Sequence, residues 1–396
     1  MANSNLTSAK SAKNDEFYTQ YHDIEKEINA YLEFDPNVFL GKTVLLPCDD
    51  PEWSNFTKFF AQNFERFQMK RLISTSYAPN SKKFKTHYQP TLFELNDPQF
   101  DSEKTENNGK IFTLDIDKSG DRKIDVHDLK WTYLKSDGDF RNDEIKQLRD
   151  ESDIIITNPP FSLFREFLSW IVSADKKFLI IGNMNAITYK EVFPLIKNNR
   201  IWTGSRFNQR LNGKNMTFLV PADYNLTGTE VEIDSEGKKM ISVAGTGWYT
   251  NLEHGRRHQP LSLMTMQDNI RFSKHKEVRG KDYSVYDNYD AIEVPFSDAI
   301  PSDYTGIMGV PISFLNKYNP NQFEILGSDA DDDSPPTKKY SNKVKVVDGI
   351  KMKSNTGTMG CVIRESQFGP GTYFDVGYPV RALYKRIFIK HKNLAQ

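Results

Sequence analysis

Cysteine is nearly absent from this 396-residue chain: Cys48 and Cys361 are the two that occur, far apart in sequence. That excludes a disulfide framework and a CxxC metal pair, and a reducing cytoplasm is the expected compartment. Long apolar runs are absent as well, and the opening stretch MANSNLTSAKSAKNDEFYTQ is polar, so neither a signal peptide nor a membrane span is expected. Net charge is missing too, because 52 Lys plus Arg face 53 Asp plus Glu and leave a formal -1. No overall positive field draws the chain onto a polyanion, and any nucleic-acid surface has to be a local patch. The seven His make no HExxH, and neither a GxSxG nor a P-loop occurs. Asp331 to Asp333 lack the glycine spacing and distal Glu of a cation loop, so they read as an ordinary loop and no metal is expected.

What the chain does have is aromatic mass, 13% of residues with 27 Phe and 18 Tyr. A packed core is therefore available, and global disorder, collagen-like and coiled-coil classes are excluded. At about 100 to 200 residues per domain, the length fits two domains or one domain with a large insertion. Residues 1–13 have no hydrophobic period and read as a mobile arm. From Asp23 to Phe34 apolar residues recur at helical spacing; TVLLP at Thr43 is a short strand, Asn55 to Phe67 an aromatic helix, and RLISTS at Arg71 a second strand. That order is the opening of a βαβ unit. Residues 80–128 are polar and charged and read as a surface excursion or hairpin insertion. Alternation resumes with a helix near Ile145, a strand at Asp153–Thr157, a helix over Phe161–Val172 and a strand at Lys177–Gly182. Continuous apolar strands between helices indicate an α/β fold with a mostly parallel buried sheet. NMTFLVP at Asn215 and MISVAGTGWYT at Met240 read as later strands of the same sheet, which closes a first region at 14–255. Residues 256–396, short aromatic segments broken by Pro, Gly, Asp and Asn, form a less regular second region.

The sharpest chemical signal is DIIITNPPF, Asp153 to Phe161: a buried strand that stops at a polar tetrapeptide and hands over to a helix. In an open parallel sheet, strand carboxyl ends face the ligand crevice. Two prolines stiffen the turn and leave the Asn158 amide oxygen and the Pro159 carbonyl as fixed acceptors, with Pro160 behind them. Such a pair satisfies the two donors of an exocyclic amino group while the Phe161 ring stacks on the base. The plain alternative is that Asn-Pro-Pro merely caps the next helix. The preceding strand and the following aromatic favour the chemical reading.

NPPF with its strand resembles the amino-methyltransferases that use S-adenosylmethionine, and the whole pattern is similar to the EcoRI-type adenine-N6 DNA methyltransferases. The segments that carry this are NDEFYTQY at Asn14, CDDPEWSNF at Cys48, DGDFRNDE at Asp137, ITNPPF at Ile156, FLIIGNMNAITYKEVFPLIKNN at Phe178 and WYTNLEHGRRH at Trp248. The resemblance implies a class I methyltransferase fold, Rossmann-like, in which 14–255 is the catalytic domain and 256–396 a target-recognition region. It implies that Asn158 and Pro159 hold the target adenine N6 and that Phe161 stacks on the flipped base. Phe17, Tyr18 and Thr19 match the element lining the methionine end of the cofactor, Asp139 and Phe140 the acidic-aromatic pair at its adenine, and Asp49 and Asp50 the cofactor loop after the first strand. Two departures stand out: CDDPEWSN replaces the usual glycine-rich loop, and RLISTSY ends without the acid that commonly grips the ribose. Asp49 and Asp50 also fit a helix-capping role beside Ser54 and Asn55.

For the DNA, His254 to Lys281 is the densest basic run, with Arg256, Arg257, His258, Lys274, Lys276 and Arg279 among few acids. Phosphate contacts need such local density; the alternative is a solvated face, and the position after WYTNL favours DNA. Lys338 to Lys353 is a second basic run, read as a surface strand pair. The expected reaction is methyl transfer from S-adenosylmethionine to adenine N6 of double-stranded DNA, in a restriction-modification context, where a cognate endonuclease acts separately, or in an orphan or phage-borne one. RNA adenine, a protein glutamine, or a non-catalytic DNA-binding relic of the fold are the alternatives.

Overall fold

A computed structural model describes residues 18–49, 54–78, 98–115, 128–207, 216–220, 231–233, 237, 239–243, 245–331, 333–352, 359–364 and 371–392. The arm expected over 1–13 lies outside them. The chain forms two compact units, Met1–Met184 with Ile201–Gly255 and Asn185–Arg200 with Arg256–Gln396. Residues 185–200 thus fold with the second unit although the sequence runs them on from the first.

The first unit follows the order β1 (Tyr18–Thr19), α1 (Tyr21–Phe34), β2 (Thr43–Leu46), α2 (Asn55–Gln62), β3 (Arg71–Thr75), α3 (Ser102–Asn107), β4 (Lys110–Leu114), β5 (Lys130–Tyr133), α4 (Asp143–Glu151), β6 (Ile154–Thr157), α5 (Phe164–Ser173), β7 (Lys177–Asn183), β8 (Trp202–Thr203), β9 (Thr217–Leu219), β10 (Val231–Ile233), β11 (Lys239–Ser242) and β12 (Thr246–Thr250). Its main sheet has eight strands in the order β5-β4-β3-β2-β6-β7-β12-β8. The centre, β3-β2-β6-β7, is parallel, and both flanks are antiparallel. Every residue of β2 and β6 is buried, as apolar, β-branched strands covered on both faces require. One face packs Val44, Leu46, Ile154 and Ile156 against Ile24 and Ile28 of α1 and Phe56, Phe59 and Phe60 of α2. On the other, Phe164 of α5 meets Tyr249 at 5.1 Å between ring centroids. Each such side chain contributes about 1.5–3 kcal/mol by burial. The α2 helix starts where Ser54 accepts a hydrogen bond from the Phe56 amide at 3.0 Å, the expected N-cap.

The α/β class holds, with a parallel centre inside a mixed sheet. Two expectations change. Within 80–128, α3 is mostly exposed, but β4 belongs to the main sheet: it lies between β3 and β5 with Lys110, Phe112 and Leu114 buried, an alternating strand whose short KIFTL core is hidden by charged flanks. In addition, β9 and β11 leave the main sheet for a small antiparallel one, β1-β9-β11-β10, and β12 is the part of those later segments that joins the main sheet.

The second unit holds α6 (Phe193–Lys197), α7 (Met266–Phe272), and strands β13 (Ile292–Glu293), β14 (Met308–Pro311), β15 (Phe323–Ser328), β16 (Val344–Val347), β17 (Ile350–Met352), β18 (Val362–Arg364), β19 (Thr372–Asp375), β20 (Pro379–Ala382) and β21 (Arg386–His391). They form a four-stranded sheet, β13-β14-β21-β15, and a five-stranded one, β17-β16-β19-β20-β18. Arg386 and Glu293 make a buried bidentate pair, with Nη2 to Oε1 at 2.7 Å and Nε to Oε2 at 3.0 Å; the Tyr286 hydroxyl also donates to Glu293. Glu293 and Arg386 line a cavity of about 480 Å³. Among the described residues no helix is long and apolar enough to cross a membrane.

Candidate active site and nucleic-acid interface

At the carboxyl ends of the parallel strands the chain is cross-tied. The buried Thr157 hydroxyl donates to the Pro47 carbonyl at 2.6 Å, and the Asp49 amide donates to the Thr75 carbonyl at 2.9 Å. The segments leaving β2, β3 and β6 therefore depart side by side, where an open α/β sheet holds its ligand. Asn158 and Phe161 are half-buried and Pro159 is buried. Pro160 is the N-cap of the 3-10 turn Phe161–Leu163 that leads into α5, and it gives no side-chain cap.

The Phe161 ring meets Phe218 edge-on at 6.4 Å, and Phe218 pairs in register with Thr19. Asn55 at the start of α2 donates to the Thr19 carbonyl at 2.8 Å. The sheet thereby brings the Tyr18–Thr19 strand to both the β2 loop and the NPPF turn; Phe17 and Asp50 lie outside the described residues. Thr19 Oγ1 is buried without a hydrogen-bond partner among the described residues. A buried hydroxyl in that condition costs about 1–3 kcal/mol unless a ligand answers it, which fits a polar cofactor at this place.

Where the family pattern has glycines, Cys48 turns the chain at φ 59, a left-handed conformation usually left to glycine. Asp49 is 7% exposed and accepts from Ser54 and from Thr57 at 2.9 Å, while its carbonyl accepts from Ser74. Its carboxylate thus ties the β2 loop to the head of α2, close to the capping alternative, although the cap itself is Ser54.

Although RLISTSY ends without an acid of its own, a distant segment brings acids to the same strand end. The Ala78 amide donates to the Asp137 carbonyl at 2.7 Å, so Asp137 to Phe140 lie against the end of β3. This approach requires Gly138: its φ is +85, and a Cβ would sit 2.1 Å from the Ser76 carbonyl oxygen. Burial, and then the charges of Asp137 and Asp139, push the Tyr77 hydroxyl up to about 12. Sequence reading gave Tyr77 and Asp137 no role, and the fold sets them beside Asp139. Asp139 accepts from Arg141 Nε at 2.8 Å, and that side-chain bond holds its carboxyl below the ordinary range. Phe140, assigned to the cofactor's adenine, is 2% exposed and packs on Phe167 at 5.0 Å and Trp170 at 5.7 Å. It is a core residue that anchors this loop on α5.

Glu27 of α1 is fully buried. It accepts from the Tyr31 hydroxyl at 2.9 Å and from the backbone amides of Ser205 and Arg206 at 2.7 and 2.9 Å. Burial outweighs these bonds and raises its carboxyl to about 7.

The basic run is less uniform than its sequence. His254 is buried, edge-on to Tyr31 at 5.5 Å. Arg257, in the 3-10 turn Gly255–His258, is 7% exposed and donates to Asn199 at 3.0 Å, which removes it from the phosphate-facing set. Lys274 pairs with Asp298 at 2.7 Å. Arg256 is half-buried, while His258, Lys276 and Arg279 are exposed. A run of basic letters spread over a turn and a loop cannot all face one way.

The family described as "Adenine-specific methyltransferase EcoRI" matches residues 5–392. The chain is 44% identical to the Type II methyltransferase M.EcoRI of Escherichia coli, over 81% of this chain and 88% of that protein. It is 35% identical to the Type II methyltransferase M.MgeORF184P of Mycoplasma genitalium over 80% and 84%, and 32% identical to M.MpnI of Mycoplasma pneumoniae over 80% and 83%. No solved structure matches it.

Proposed function

We propose, for a chain that belongs to the EcoRI family of adenine-specific methyltransferases, that the turn Asn158–Phe161 is where a specific adenine of duplex DNA is methylated at N6. The observation that carries the assignment is the convergence of NPPF, the Thr19 strand and the β2 loop at one end of a parallel sheet. S-adenosylmethionine supplies an electrophilic methyl group when bound. Thr19 Oγ1 would hold its methionine end, and Asp137, Asp139 and Tyr77 would face its ribose and adenine; Asp49 positions the β2 loop.

The chain's own chemistry is positioning and charge stabilisation. Adenine's amino lone pair is delocalised into the ring, so the nitrogen is a weak nucleophile. Acceptors on the Asn158 side chain and the Pro159 carbonyl draw both N–H bonds toward them, favour tetrahedral nitrogen and stabilise the positive charge that develops there. The surplus proton leaves from the methylated nitrogen, and no strong base is required. Because the amino group sits inside a stacked pair, the base has to be flipped out, and Phe161 is the stacking surface. The second unit reads the target, with Lys276 and Arg279 as phosphate contacts. In a restriction-modification pair, an endonuclease of the same specificity acts separately on unmodified DNA.

Isothermal titration with S-adenosylmethionine, run beside a labelled-methyl assay on Asn158→Ala, tests the reading. Cofactor affinity within about twofold of wild type and no transfer is the expected pair of results. Near-normal transfer removes Asn158 from the site.

A further inference from the structure

Outside the basic run, the second unit holds a cluster whose members stand far apart in the sequence. Asp287 accepts four hydrogen bonds. Arg364 Nε donates to Oδ1 at 2.6 Å; Tyr340 and Tyr378 hydroxyls donate to Oδ2 at 2.6 and 2.8 Å, and Lys338 Nζ donates to it at 3.2 Å. The carboxylate is itself fixed. Its amide donates to the Val362 carbonyl at 2.7 Å, and neighbouring Asn288 bonds both the Gly360 carbonyl and the Val362 amide. The Arg364 guanidinium also lies over the Tyr378 ring, 4.0 Å from its centroid. Yet the Arg364 side chain is 61% exposed while that of Asp287 is 5% exposed.

An arginine held this way has its plane set by the tyrosine and its inner edge set by the carboxylate. With most of the side chain in solvent, the outer edge of the fork is what it presents. Three further donors on Asp287 answer a carboxylate that is nearly buried, and by holding it in one place they also fix the inner edge of the fork. A rigid fork suits a bidentate pair of acceptors, on a phosphate or on a base edge, and of the two only the base edge carries sequence information. The planar acceptor pair in duplex DNA is O6 and N7 of guanine in the major groove.

We propose that Arg364 is a specificity-determining residue that reads one guanine of the target, and that Asp287 and Tyr378 are its positioning residues. This rests on the duplex-DNA reading above. Ordering the side chain before binding removes an entropy cost otherwise met on the DNA.

The test uses the full chain. The wild type's own site is first mapped by modification sequencing, and methylation is then measured on duplexes carrying each single base-pair substitution. Arg364→Ala and Arg364→Lys are expected to lose discrimination at one G·C pair by about 10- to 100-fold, the size of one bidentate base contact, with discrimination at the other positions and the salt slope unchanged. Asp287→Asn, with Arg364 intact, should relax the same position by less. Equal weakening on every duplex, with the slope of log affinity against log salt reduced by about 0.9, makes Arg364 a phosphate contact and overturns the proposal. So does wild-type discrimination in a variant whose melting temperature is unchanged. A wild type that methylates no duplex at all fails the functional reading as well, and is told apart by the first measurement.

Discussion

The two units answer their buried acids differently. In the first, Glu27 is met by a tyrosine hydroxyl and two backbone amides, and Asp49 by Ser54 and Thr57. In the second, Glu293 is met by Arg386 and Asp287 by Arg364 and Lys338. The donors bonded to Glu27 and Asp49 are neutral, whereas Asp139 at the end of β3 carries the Arg141 guanidinium. Cation-fixed carboxylates give the second unit rigid positive groups, which suit a polyanion and its base edges. The contrast is one of degree, because Glu293 and Asp287 carry tyrosine hydroxyls beside their cations.

The largest effect should come from breaking the second unit's device. Arg386→Met leaves Glu293 buried with a tyrosine alone, and about 3–5 kcal/mol of stability should disappear in denaturant melts. A Glu293→Leu/Arg386→Met double variant should regain most of it; a double variant as weak as the single would mean that packing, not charge, is at stake. Next in size, Asn158→Ala should slow transfer on the order of 10² to 10³-fold, comparable to removal of one preorganised partner of developing charge, with the fold intact.

Glu27 tests the neutral device by pH. Its folded value of about 7 lies above the ordinary 4.5, so the folded state keeps a proton that the unfolded state has released. Its contribution is full below about 4.5 and is lost as pH rises through about 7, amounting to up to about 3 kcal/mol. Thermal melts of Glu27→Gln should therefore fall less than wild type between pH 5 and 8 (roughly the window set by those two values). Parallel curves would show that the carboxyl titrates normally.

Phe161→Ala should weaken retention of the flipped adenine by about 1–3 kcal/mol, read by a fluorescent base analogue at the target. The smallest effect sharpens the comparison at the surface. Lys276→Ala with Arg279→Ala should lower the salt slope of DNA binding by about 0.9 for each phosphate no longer neutralised, whereas Arg257→Ala should lower stability. A salt-slope change in Arg257→Ala without destabilisation would return that residue to the DNA.

The parallel centre and the NPPF turn were legible because a β-branched run ending at two prolines has one consistent local reading. Local pattern also gave α1, α2 and the strand at Lys177. What it could not give was which side of a loop faces inward. Phe140 beside Asp139 looks like a ligand pair, and only the packing on Phe167 and Trp170 shows it to be core. Arg257 is likewise indistinguishable from Arg256 until Asn199 takes its guanidinium. Tyr77 with Asp137, and Asp287 with Arg364, are separated by 60 and 77 residues and meet only in the folded chain. Short strands such as β4 stay hidden when polar flanks outweigh five residues of alternation.

At the centre stands the claim that this chain methylates adenine N6 at one sequence in duplex DNA. Its most direct test is to express the chain in a host without DNA methylation and read the genome for modified bases. N6-methyladenine is expected at every copy of one short sequence, and at none when Asn158 is replaced by Ala. An unmodified genome, with new methyl groups found instead in RNA or in protein, would contradict it.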